Sequence, residues 1–104
     1  MDTHFVYTTW PDADTAQAVG QACVEQGLCA CVNIFPPHLC LYRWEGGVES
    51  GQEVVMILKT TAADVASLRT HVIEAHPYDV PVFAVLDVNG PASHAPFINW
   101  LQGA

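Results

Sequence analysis

The chain has 104 residues, of which 51% are hydrophobic and only 13% are charged, so it is not intrinsically disordered and can bury a core of its own. Eleven acidic residues outnumber three basic ones, and the resulting net charge of −8 argues against binding to nucleic acids or anionic membrane surfaces. We expect residues 1–104 to form a single cytoplasmic domain whose four cysteines are reduced.

The predicted elements follow the order β-α-β-β-α-β, with a short helix at the end. The first strand is predicted at His4–Thr9, a run of β-branched and aromatic residues. Asp12 is a suitable N-cap for a first helix, whose apolar residues recur at helical spacing until Gln26-Gly27 ends it. A second strand at Cys29–Tyr42 is interrupted by Pro36-Pro37. Because two prolines do not fit a central strand, we expect this strand at an edge of the sheet.

A long β-hairpin is the most distinctive feature of the sequence. It joins the second strand to a third at Val54–Leu58, which is apolar on both faces and therefore typical of a buried strand. Gly46-Gly47 is predicted to form a type I′ turn, because neither residue has a side chain that opposes a positive φ. The pairs predicted across this turn are Trp44 with Glu49 and Cys40 with Glu53. The arms are long for so small a domain, which indicates that they contact a partner.

The second half of the chain repeats the strand and helix pattern. Thr61, followed three residues later by Asp64, begins a second helix that His76-Pro77 ends. A fourth strand is predicted at Val82–Val88 and a short helix at Pro96–Leu101. This order favours an α+β fold of the ferredoxin-like kind, a four-stranded antiparallel sheet with the first and third strands central and two helices on one face. Other copies of the chain are the simplest cover for the opposite face.

Five short motifs occur in order, and together they resemble the CutA divalent-cation tolerance family. They are Ala30–Ile34, Tyr42–Gly46, Glu53–Thr60, His76–Pro81 and Trp100-Leu101. The resemblance runs from about Thr8 to Leu101. It implies a ferredoxin-like fold in a homotrimer similar in architecture to the PII signalling proteins. It also implies a protein involved in the response to metal ions, with a divalent metal such as copper or zinc and no organic cofactor.

His76 is the residue that we predict as a metal ligand, because it ends a helix whose negative pole favours a cation. The resemblance implies that bacterial family members bind copper through one cysteine and a His-His pair, and the matching positions here hold Thr8, Ala75 and His76. Neither Thr8 nor Ala75 supplies a thiolate or imidazole, so two of the three ligands are missing. The alternative for His76 is to cap a helix carbonyl or to pack against Tyr78.

The other cysteines and histidines form no recognisable site. Cys29 and Cys31 are two residues apart on the predicted strand, so their sulfurs are expected on one face. The sequence contains neither Cys-x-x-Cys nor His-x-x-x-His, and burial as free thiols is the interpretation that we favour for all four cysteines. His38 and His94 are predicted as exposed loop residues. In the CutA family, serine is more frequent at the position of Cys40.

We do not predict an enzyme. The sequence has no Gly-x-Ser-x-Gly motif and no phosphate-binding glycine loop. A Cys–His nucleophile pair stays open, because sequence does not show which residues are neighbours in space.

A crevice between subunits is the remaining candidate site, with Lys59, Glu53, Tyr42, Trp44 and Tyr78 as its lining. Lys59 lies at the end of the most apolar run, and two roles are open for it. It forms a structural ion pair with a carboxylate such as Glu53 or Asp87, or it binds an anion. Our main interpretation is a homotrimeric, metal-binding protein of the CutA type. The alternative is a PII-like trimeric sensor or scaffold that binds a small anion in the crevice.

Overall fold

A five-stranded sheet forms the centre of the molecule in the computed structural model, which describes residues 2–104. The elements are β1 (Thr3–Trp10), α1 (Ala13–Glu25), β2 (Cys31–Ile34), β3 (His38–Trp44), β4 (Gly47–Thr61), α2 (Val65–Ala75), β5 (Phe83–Val88) and α3 (Ala95–Gly103). The strand order is β2-β4-β1-β5, β3 pairs with the outer half of β4, and every pair is antiparallel. Within residues 2–104, no helix has the length and apolar character needed to cross a membrane.

The predicted fold class is confirmed, because β1 and β4 are the central strands of an antiparallel sheet with helices packed on it. Side chains alternate along both strands, and the even-numbered ones are buried over residues 6–10 of β1 and 54–60 of β4. They form the core together with apolar residues of α1 and α2. Its members include Val6, Trp10, Val19, Cys23, Val54, Met56, Leu58, Leu68 and Val72.

The opposite face of the sheet is only partly covered. At one end, Phe97 of α3 contacts Phe5 of β1 edge to face, with ring centres 6.3 Å apart. Beyond α3, the sheet face forms the floor of an apolar groove of about 580 Å³. Its floor residues are Tyr7, Val55 and Ile57, and the segment 35–38 forms its wall. The prediction of an incompletely covered sheet face is therefore confirmed for the single chain.

The turn of the hairpin lies one residue earlier than predicted. Glu45 and Gly46 have positive φ values of 48° and 80°, so the predicted Gly46-Gly47 turn is wrong. The pairs observed across the hairpin are Trp44 with Gly47, Tyr42 with Glu49, Cys40 with Gly51 and His38 with Glu53. The inner half of β4 is held by its ladders to β1 and β2. The turn follows the register set by these ladders, although the left-handed backbone of Glu45 costs roughly 1 kcal/mol.

The predicted second strand is two strands, because residues 35–37 leave the ladder at Pro36-Pro37. Both β2 and β3 pair with the 15-residue β4. Cys29 precedes β2 and lies in the core, whereas Cys31 pairs with Lys59 on the opposite face. The prediction that these two sulfurs share a face is therefore wrong, since alternation begins only at Cys31.

The predicted ends of α1 and the predicted end of α2 are confirmed, whereas the predicted start of α2 at Thr61 is wrong, because Thr61 ends β4 and α2 begins at Val65. The Asp12 carboxylate accepts a hydrogen bond from the Thr15 backbone N–H at 2.7 Å, and this bonding lowers the pKa of Asp12. Gly27 follows α1 with a φ of 71°. Asp64 precedes α2, and His76 ends it in an extended conformation. Both ends of α1 and the end of α2 depend on residues that are close in the sequence, which is why the sequence predicts them.

Candidate functional site

Thr8 lies at the position where the family resemblance implies a metal-binding cysteine, and its hydroxyl already has two hydrogen-bond partners. The side chain is completely buried. Its Oγ1 donates to the Met56 carbonyl at 2.7 Å and accepts from the Trp10 indole N–H, also at 2.7 Å. A buried hydroxyl with both a donor and an acceptor partner is stable where it is. Thr8 therefore positions Trp10 within the core.

His76 lies beside the same indole. Its side chain is 8% exposed, and its ring stacks on Trp10 with centres 4.2 Å apart and contacts Tyr78 at 4.7 Å. Nε2 donates to the Thr9 carbonyl at 2.7 Å, while Nδ1 accepts from the Tyr78 backbone N–H at 3.1 Å. These partners assign the neutral tautomer that carries its proton on Nε2. We call Thr8, Thr9, Trp10, His76 and Tyr78 the Trp10 cluster.

The Trp10 cluster does not fit the copper site that the resemblance implies. Both ring nitrogens of His76 have protein partners, so no lone pair is free for a cation. Thr8 is engaged in the core, and Ala75 has no ligating atom. The geometry supports the alternative role of His76, packing against Tyr78, and gives no support to its predicted role as a ligand. Within residues 2–104, no three His, Cys, Asp or Glu side chains lie close enough together to hold a metal ion.

Three of the predicted crevice residues are neighbours within one chain. Burial raises the pKa of Tyr78, and the negative charges of Glu53, Cys40, Asp12 and Tyr42 raise it further. The Cys40 thiol is hydrogen-bonded to Glu53, and this bond is the main reason that the pKa of Cys40 is raised. Tyr42, Glu53 and Tyr78 therefore form one polar region. Trp44 is separate from it, 59% exposed at the end of β3.

Lys59 is not part of that region. It lies six residues along β4 from Glu53, a distance of roughly 20 Å. Its ammonium group lies over two aromatic rings, 5.5 Å from the centre of Phe5 and 5.7 Å from that of Phe97. Cation–π attraction to these two rings stabilises the ammonium group in place of an ion pair with a carboxylate.

The predicted ion pair of Lys59 with Glu53 or Asp87 is wrong for residues 2–104. Asp87 instead faces His4 on the neighbouring strand, with 2.9 Å between Oδ1 and Nδ1, while Glu53 bonds Cys40.

Comparison with known proteins identifies the family. Residues 4–104 match the model of the CutA1 divalent ion tolerance protein family. The chain belongs to the CutA1 family. The CutA divalent-cation tolerance protein of Thermococcus kodakarensis is 40% identical over 89 residues, which cover 86% of this chain and 85% of that protein.

Further CutA proteins agree in sequence and in structure. A CutA homolog of Danio rerio is 32% identical over 94 residues, 90% of this chain but 61% of the relative. The solved structure of CutA from Synechococcus elongatus has a TM-score of 0.89 at 35% identity, with 98% of this chain and 88% of that chain covered. The resemblance found in the sequence is thus confirmed over nearly the whole chain.

Sequence reasoning missed two features of this CutA1 chain. The first is Trp10, whose contacts with Thr8 and His76 join β1 to the end of α2. Thr8 and Trp10 are two residues apart, which is the spacing of one strand face, so the first contact was available from the sequence. The second is that His38 belongs to β3 and not to a loop. It is exposed as predicted, but strand pairing fixes its backbone opposite Glu53.

Proposed function

We propose that this CutA1-family chain is a cytoplasmic homotrimer that binds divalent cations and contributes to tolerance of them. The observation that carries the proposal is the family match over residues 4–104, together with relatives named divalent-cation tolerance proteins. The negative net charge of −8 supports it, because such a surface attracts cations and repels nucleic acids and anionic membranes.

The exposed apolar surface supports assembly into a trimer with the PII-like arrangement. Large hydrophobic side chains of the hairpin are more than half exposed in the single chain, and so are three beyond it. They are Leu39, Leu41, Trp44, Val48, Val80, Leu86 and Trp100. A monomer seldom leaves so many large apolar side chains in water. With maximum dimensions of 45 × 28 × 23 Å, the chain presents this surface on an extended shape that other subunits can cover.

The four cysteines support a reducing compartment, and their chemistry supports a binding function rather than catalysis. All four cysteines are free thiols. Burial raises the pKa of Cys23 to about 11 and that of Cys29 to about 12. Such thiols are protonated at neutral pH and are poor nucleophiles. We accordingly propose no catalytic residue and no organic cofactor, with copper or zinc as the metal class.

Growth under metal stress tests this function. The chain is expressed in a bacterium sensitised to Cu(II) and Zn(II), and the inhibitory metal concentration is measured. We expect that concentration to rise with the wild-type chain. Unchanged sensitivity at full expression of the assembled protein would contradict the proposal.

Assembly is measured on the same protein by light scattering. The wild type is expected at three times the chain mass of 11.3 kDa. Leu41→Glu places a charge on the exposed apolar hairpin and is expected to yield smaller species. Gln17→Glu makes a similar change on the exposed face of α1 and serves as the matched control, with assembly retained. A wild-type protein of single-chain mass would overturn the trimer.

A further inference from the structure

The apolar groove on the open face of the sheet borders a row of side chains that includes an ammonium group. The floor of the groove consists of three side chains of β1 and β4, namely Tyr7, Val55 and Ile57. Lys59 follows Ile57 by two residues on the same face of β4 and pairs with Phe5 of β1. Because two residues of a strand span about 7 Å, Lys59 lies within reach of a small molecule on this floor.

The lining of the groove suits an apolar molecule. Apart from the phenol of Tyr7 and the imidazole of His38, its side chains are those of valine, isoleucine, phenylalanine and two prolines. Its volume of about 580 Å³ lies within the range of roughly 300–1,000 Å³ in which proteins bind small molecules. Burial of hydrocarbon is the main source of affinity in a groove of this composition.

The ammonium group of Lys59 has aromatic neighbours but no anionic one. It lies 5.5 Å from the centre of the Phe5 ring and 5.7 Å from that of Phe97, and the residue is partly buried. Among residues 2–104, no carboxylate pairs with this group and no oxygen accepts a hydrogen bond from it. An ammonium has three N–H donors, and cation–π contacts do not replace an acceptor for them. Lys59 therefore keeps the capacity to bind an anion.

The charge of the chain limits which anion Lys59 can bind. A net charge of −8 repels polyanions such as nucleoside triphosphates. A single carboxylate is less affected, because physiological salt screens charges that lie more than about 8 Å away. The electrostatics therefore favour a monoanion over a polyphosphate.

We propose that the groove binds an apolar monocarboxylate, with its hydrocarbon on the floor residues and its carboxylate at the ammonium group of Lys59. Buried hydrocarbon supplies the affinity, and the charge-assisted hydrogen bond selects an acid over the corresponding alcohol. This inference goes beyond the proposed function, because the ligand is an organic anion and not a divalent cation.

Calorimetric titration of the reduced, assembled protein tests the proposal, with octanoate as the probe. Octanol has the same chain length without the charge and is the matched ligand. Octanoate is expected to bind saturably at one molecule per chain, and octanol at least about fivefold more weakly. The assembled protein is used because a second copy of the chain is the competing occupant of the groove.

Matched variants separate the charge from the hydrocarbon contact. Lys59→Met keeps an apolar stem and is expected to weaken octanoate binding at least about fivefold, while octanol binding stays within about twofold of the wild type. Arg69→Met removes an exposed positive charge from α2 and is the control, with octanoate binding unchanged. Val55→Thr puts a hydroxyl on the floor of the groove and is expected to weaken the binding of both ligands by the same factor.

Three results would overturn the proposal. Octanoate that does not bind saturably to the assembled wild type would leave a second copy of the chain as the occupant of the groove. Equal affinities for octanoate and octanol, or octanoate binding that survives Lys59→Met, would remove Lys59 from the site. Light scattering confirms that each variant assembles. The growth assay measures protection from metal, so its outcome tests the tolerance function independently of this site.

Discussion

The Trp10 cluster and the base of the hairpin each contain a histidine, and the two imidazoles differ in what they contact. His76 is 8% exposed, and each of its ring nitrogens has a partner. His38 is exposed and, within residues 2–104, its ring nitrogens have no partner. The comparison shows that a ligating residue type at a family position does not make a ligand. A ligand also needs a lone pair that the protein does not already use.

The same contrast holds for the groups beside each histidine. The Thr8 hydroxyl lies between Met56 and Trp10 in the core, where it donates one hydrogen bond and accepts another. At the base of the hairpin, by contrast, the hydrogen bond to the Glu53 carboxylate is the main cause that raises the pKa of the Cys40 thiol. We infer that the Trp10 cluster stabilises the fold.

Replacing His76 by alanine is the largest perturbation of the Trp10 cluster. The variant loses the stacked ring and leaves the Thr9 carbonyl and the Tyr78 N–H without partners. We expect the free energy of unfolding to fall by about 3 kcal/mol. Denaturant unfolding at a fixed protein concentration measures it, because the stability of an oligomer depends on concentration. Full stability of this variant would contradict the structural role of His76.

Replacing Thr8 by valine removes one hydroxyl at almost constant volume. The Trp10 indole N–H then has no acceptor in a fully buried position, and we expect a loss of about 2 kcal/mol. Thr8→Ser keeps the hydroxyl and is the control, with a smaller loss caused by the missing methyl group. Equal stability of the valine variant and the wild type would show that this hydrogen bond contributes nothing.

A smaller expected effect is the alkaline loss of stability, to which the buried thiol of Cys29 should contribute more than the thiol of Cys40 in the hairpin. Burial raises the pKa of Cys29 from 9.0 to about 12 in the folded chain. The folded state therefore binds the proton more tightly than the unfolded state, so the contribution of Cys29 is complete below about pH 9 and is lost as the pH rises toward 12. Cys29→Ala should flatten this decline in stability, measured by denaturant unfolding between pH 8 and pH 11.

The matched variant for this test is Cys40→Ser. The pKa of Cys40 is raised mainly by an exposed hydrogen bond to Glu53, which solvent screens. Its substitution should therefore flatten the alkaline decline less than Cys29→Ala does. The opposite ranking would mean that burial of Cys29 is not the source of the pH dependence.

Local signals made most of the fold predictable from the sequence. Asp12 and Pro77 define helix ends through contacts with near neighbours, and the apolar alternation of β4 identifies a central strand. The predicted position of the hairpin turn is wrong by one residue. The turn falls at Glu45 because β1 and β2, which are far away in the sequence, set the register of β4. Cys40 and Glu53 were predicted to pair directly. They are diagonal neighbours instead, and the shift of two residues preserved their shared face.

The candidate site was less predictable, for a reason that His76 illustrates. Its carbonyl partner, Thr9, is 67 residues away in the chain, so no local pattern indicates that the ring is already bonded. The family motif identified the position correctly but not its chemistry in this chain. Lys59 is similar, because its aromatic partners come from β1 and α3.

A Zn²⁺ titration of His76→Gln beside the wild type tests the central claim, that His76 is structural, most directly. Both proteins are reduced and shown to be assembled by light scattering. Because both ring nitrogens of His76 already have protein partners, we predict that His76→Gln keeps the wild-type affinity within about twofold. Loss of Zn²⁺ binding in the assembled His76→Gln variant would contradict this claim and would place the cation at the Trp10 cluster.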